Sequence, residues 1–112
     1  MQVSGQAAGN NGTMGVLKAK FHVETGDEEA SAVVRFVSLI IGGEERPLQS
    51  KDDILLLAED DQRGLMRARD FATSTLEEAM KTRVIPGRMP LPERVTVRWE
   101  QGTDKMSMEV DR

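Results

Sequence analysis

Two stretches of alternating apolar and polar residues, each folding back on itself, bracket one long helix-compatible block, and this pattern constrains the fold more than any other feature. Leu17, Ala19, Phe21 and Val23 alternate with Lys18, Lys20, His22 and Glu24. A period of two describes a strand with one buried and one wet face. After a polar connection through Gly26 and Asp27 to Glu29, Ser31–Ile41 completes the first hairpin. In the second, Val95, Val97 and Trp99 alternate with Thr96, Arg98 and Glu100, and after 101–104 the alternation resumes with Met106, Met108 and Val110.

Between the hairpins, Ser50 is placed to cap a helix that has Asp52 and Asp53 in its first turn, where carboxylates meet the positive end of the dipole. Ile54, Ala58, Asp61, Leu65, Ala68, Ala72, Leu76, Ala79 and Met80 then recur at helical spacing, with one polar member. Gly64 costs about 1 kcal/mol relative to Ala in a helix interior, so a break is expected near Asp60 to Gly64. Thr73, Ser74 and Thr75 before Glu77 and Glu78 resemble a second capping signal. A competing reading makes Ile54 to Ala58 a short buried strand, but helix is favoured. Pro86, Pro90 and Pro92 with Gly87 form a stiff connector back to the sheet. The expected fold is a two-layer α+β domain of order ββαββ, a four-stranded antiparallel sheet against one long helical layer open to interruption.

Residues 16–112 are read as a single domain preceded by an arm, 1–15, with no charged side chain and Gly at positions 5, 9, 12 and 15. Such an arm cannot build a core and is expected to be flexible. At 112 residues the chain is long enough to bury a core without staples. It contains no Cys, which removes disulfides and thiolate chemistry. With no basic leader followed by an apolar run and no stretch of about 20 apolar residues, a cytoplasmic location is expected, bacterial or viral. The net charge of −4 conceals an asymmetry: 1–62 has five basic and eleven acidic residues, whereas 63–112 has ten and eight.

Catalytic chemistry finds little support. His22 is the one imidazole, on a wet strand face between Lys20 and Glu24, and reads as a surface histidine. The acidic group Asp52, Asp53, Glu59, Asp60 and Asp61 lacks the oxygen spacing and central glycine of a calcium loop and reads as capping and surface charge. Gly42-Gly43 lacks the following Lys-Ser or Lys-Thr of a phosphate loop. No cofactor or metal is expected. Basic residues Arg63, Arg67, Lys81, Arg83, Arg88, Arg94 and Arg98 form a candidate anion or nucleic-acid contact. Acidic residues interspersed among them and a sequence pI near 5.0 weaken that reading.

The reading favoured by the sequence is a non-enzymatic interaction or assembly module that self-associates, of the kind found in viral or mobile-element structural proteins. Val33, Val37 and Leu39 are expected to form an outward apolar strip, and Met106 and Met108 to lie on a free sheet edge open to strand addition. A partner is therefore expected to be a second copy or another protein, and no membrane is expected. The alternatives are a nucleic-acid-associated accessory factor using its basic surface, or a small acidic inhibitor of a host nucleic-acid-binding enzyme.

Overall fold

The computed structural model describes residues 15–82, 91–103 and 105–111. The arm 1–15, apart from its last residue, and the connector over 83–90 with Arg83 and Arg88 lie outside them. The elements follow the alternation: β1 (Val16–Thr25), β2 (Ala32–Ile41), β3 (Glu44–Pro47), α1 (Lys51–Leu55), α2 (Glu59–Lys81), β4 (Arg94–Glu100) and β5 (Met106–Val110). The sheet is antiparallel throughout, in the order β3-β2-β1-β4-β5. It therefore has five strands rather than the expected four. The additional strand, Glu-Glu-Arg-Pro, carries no apolar alternation; it forms because Gly42 and Gly43, at φ 60° and 82°, turn the chain back against β2.

A single helical layer covers one face. Leu65, Ala68, Ala72, Leu76 and Met80 form the buried stripe of the 23-residue α2. Leu65, Ala68, Ala72 and Leu76 join Leu17, Ala19, Phe21, Val34, Leu39, Val95, Val97 and Trp99 of the sheet in one core. The N–H of Ala32 donates to the Glu77 carboxylate at 2.9 Å, pinning the start of β2 to the helix. Phe21 and Phe36 meet with ring centroids 5.7 Å apart, and the Arg69 guanidinium lies 5.0 Å over the Phe36 ring.

The helical layer does break, but not where glycine and threonine suggested. It interrupts at Leu56–Ala58. There the Gln62 side chain donates to the Leu57 carbonyl at 2.8 Å and satisfies part of the exposed turn. Gly64 and Thr73–Thr75 run through α2 without interruption; Thr73 and Thr75 bond back to the carbonyls of Arg69 and Phe71 instead of capping a new helix. The Ile54–Ala58 strand alternative is not formed. Upstream, the Asp53 carboxylate accepts the N–H groups of Gln49 at 2.7 Å and Ser50 at 3.2 Å, holding the entry to α1.

A β-bulge determines which β2 side chains are inside. Lys20 pairs with Ser38 but Phe21 pairs with Phe36, so Val37 is an extra residue in β2. Before it Ala32 and Val34 point to the helix; after it Leu39 does. Leu39 is fully buried, which corrects its placement on an outward strip.

Candidate functional site

Among the described residues, two features of the sheet are left without a covering layer: its face opposite α2, and the β5 edge. On the open face β1 contributes Lys18, Lys20, His22 and Glu24, β2 contributes Val33, Arg35, Ser38 and Ile40, and β4 contributes Arg94, Thr96 and Arg98. The register sets Lys18 directly opposite Arg98, Lys20 opposite Thr96, and His22 opposite Arg94. Ion pairs occupy one flank: Lys20 Nζ lies 3.6 Å from Glu45 and Arg35 Nε 3.7 Å from Glu24, whose carboxylate is also 3.4 Å from His22 Nε2. Buried Ser38 donates its hydroxyl to Glu45 at 2.8 Å. That hydrogen bond, with the Lys20 charge, holds the Glu45 carboxyl below its ordinary value. A depression of about 510 Å³ is lined by Lys18, Lys20, Ile40, Thr96, Arg98, Ser107 and Glu109.

The sequence-predicted basic set is not one surface. Arg94 and Arg98 stand on the open face, while Arg63 and Arg67 belong to α2 and line a separate depression of about 270 Å³ with Asp60, Asp61 and Trp99. Arg63 is paired with Asp60. Lys81 is in the last turn of α2, where its charge suits the dipole. The cations that do join Arg94 and Arg98 are Lys18 and Lys20. Their signal was present in the alternation of β1, whose wet face is basic, but only the β1–β4 pairing brings it beside β4.

The self-association set also divides. Val33 is on the open face and 38 % exposed, Val37 is the half-buried bulge residue, and Leu39 is core. Met106 and Met108 are opposite Trp99 and Val97, half-buried against the fringe of the core on the helix side. β5 is nevertheless the edge strand, as the sequence suggested. The N–H of Asp111 donates to the Arg94 carbonyl at 3.0 Å. Antiparallel alternation then turns the N–H and C=O groups of Met106, Met108 and Val110 away from β4, toward the open edge. The opposite edge is blunted, since β3 is four residues long, charged, and ends in Pro47.

Asp61, the polar member of the α2 stripe, is half-buried beside Trp99. Desolvation, reinforced by the neighbouring Asp60 charge and partly offset by Arg46, raises its pKa. A raised native pKa means that ionisation disfavours the fold: the penalty is present at neutral pH and is lifted as pH falls through the native pKa. Asp61→Asn is therefore expected to be more stable than the parent at pH 7, with the difference shrinking toward acid pH, as thermal melts across pH would read.

Among the described residues there is no group of three His, Asp or Glu side chains arranged to hold a metal ion, and no helix long and apolar enough to cross a membrane. Searched against known protein families, curated proteins and solved structures, the chain matches none.

Proposed function

We propose that this protein is a non-enzymatic assembly module that self-associates by antiparallel pairing of β5 with β5 of a second copy. The observation that carries the reading is the self-complementarity of that strand. Pairing about a two-fold axis at Ser107 sets Lys105 opposite Glu109 of the partner subunit, twice, and sets Met106 against Met108 of the partner subunit on the helix side. The outward backbone groups of Met106 and Met108 supply the hydrogen bonds. Two five-stranded sheets would become one sheet of ten, extending the apolar layer across the seam. The carboxylate of Asp111 accepts the Thr96 hydroxyl at 3.0 Å and is already engaged, which favours the register that uses Glu109.

An interface built on one short strand belongs to the small, exchangeable class. Light scattering coupled to size exclusion is expected to show a dimer that forms as concentration rises. Lys105→Glu turns two attractive cross-strand pairs into repulsive ones, each pair worth a few tenths to 1 kcal/mol either way. It is expected to weaken the dimer about ten- to thirtyfold. Lys105→Glu combined with Glu109→Lys restores the pairing and is expected to recover most of the affinity. A chain that stays monomeric at high concentration, or a dimer indifferent to Lys105→Glu, overturns this reading.

A further inference from the structure

We propose that the open face of the sheet carries a second site, distinct from the β5 edge, that binds the phosphodiester backbone of duplex nucleic acid without reading its sequence. Lys18 and Arg98 face each other on adjacent strands. Like charges directly opposite in a sheet destabilise it unless an anion lies between them. Among the described residues, Lys18, Arg94 and Arg98 have no ion pair, although Lys20, Arg35 and His22 beside them are paired. The unpaired cations form a stripe along β1 and β4.

The depression over Lys18 and Arg98 also presents the hydroxyl of Ser107, beside Thr96, whose own hydroxyl donates to Asp111. Guanidinium, ammonium and hydroxyl donors around one hollow are the donor set that phosphate oxygens take, and Arg offers them two parallel hydrogen bonds. The carboxylates there, Glu109 in the lining and Asp111 on Thr96, both belong to the β5 side, so the bound backbone runs along β1 and β4. The chemistry on this face also selects the form of nucleic acid. Phe21, Phe36 and Trp99 are all on the helix side of the sheet, leaving no Phe or Trp ring on which an unpaired base could stack. Cations with no ring beside them grip backbone phosphates, which a duplex displays in regular array.

The site is complete within one chain. Its test therefore uses the parent protein at concentrations below and above those at which the β5 dimer forms, so that failure of the β5 pairing leaves it readable. Fluorescence anisotropy of a labelled 20-base-pair DNA duplex, titrated at 20 to 200 mM NaCl, is expected to show binding at the low end. Three to four phosphate contacts give a slope of log K on log salt of about −2.7 to −3.6. Lys18→Ala and Arg98→Ala are each expected to flatten that slope by about one, and Arg63→Ala on the helical layer to leave it unchanged. Because Lys18→Ala also removes a like-charge opposition, its melting temperature is expected to equal or exceed that of the parent, which separates lost contact from lost fold. No binding at 20 mM salt overturns the proposal, as do slopes unaltered in Lys18→Ala and Arg98→Ala. So does displacement of the duplex by polyglutamate at equal charge concentration, which would assign the face to an acidic polypeptide.

Discussion

Phe21→Ala is expected to remove about 3–5 kcal/mol of folding stability, the range for deleting a buried aromatic ring. Phe21 is fully buried at the middle of β1, the central strand, paired with Phe36 on one side and Val95 on the other. Its ring meets Phe36 at 5.7 Å, and Phe36 in turn carries the Arg69 guanidinium. Truncation would therefore open a cavity where both hairpins and α2 converge, and strands held by neighbours on both sides cannot collapse into it. Lys20→Ala, one residue away but on the open face, should change stability by no more than about 0.5 kcal/mol. Urea unfolding of the two variants reads the contrast. A Phe21→Ala protein within 1 kcal/mol of the parent would mean that the ring is not the keystone of this core.

Gly64→Val is expected to destabilise the protein by about 1–3 kcal/mol, the cost of overpacking a filled core. Helix propensity alone predicts the opposite sign, since Gly is the poorest interior residue after Pro. The difference lies with Trp99. A Cβ at position 64 would stand 2.9 Å from the indole Nε1 and 3.2 Å from Cε2 and Cζ2. Trp99 is 5 % exposed, with Leu17 on β1 and Met106 on β5 as its cross-strand neighbours, so relieving the contact requires the indole to leave its place in the sheet. Gly64 is thus a point of close approach between helix and sheet, over the indole. In a Trp99→Phe background the same substitution is expected to cost less than half as much, and a double-mutant cycle by chemical denaturation isolates that coupling. Equal costs in both backgrounds would place the clash elsewhere.

The sequence made most of the architecture legible, because amphipathic alternation in β1, β4 and β5 and the stripe from Leu65 to Met80 each carry a period that only one kind of element satisfies. What escaped it has specific causes. β3 is a strand made of Glu44, Glu45, Arg46 and Pro47, residues that announce a loop; two glycines and the neighbouring β2 edge create it. Leu39 was assigned to the wrong face because β2 has apolar residues on both sides, so its alternation could not reveal the extra residue at Val37 that reverses inside and outside. The helix breaks after Leu55 and runs on through Gly64, which is required against Trp99; an indole 35 residues away cannot be seen from local propensity. The basic site was half legible: Arg94 and Arg98 were named, whereas Lys18 and Lys20 joined them only through strand pairing. The remaining members of the predicted set were grouped by nearness in sequence, which a helix and a sheet on opposite sides of one core do not preserve.

The central position of β1 has a consequence for how the protein is made. Its pairing with β2 closes over a six-residue turn, but its pairing with β4 joins His22 to Arg94 across most of the chain. During synthesis at about 5–20 residues per second, β1 would wait several seconds or longer with one edge unpaired. Closure of that long loop, rather than formation of either hairpin, should set the folding time. The wet face of β1 bears Lys18 and Lys20, and clustered positive charge on a waiting strand discourages it from pairing with the same strand on a neighbouring nascent chain. The lysines that stand on the open face of the finished sheet would thus protect the unfinished one from aggregation.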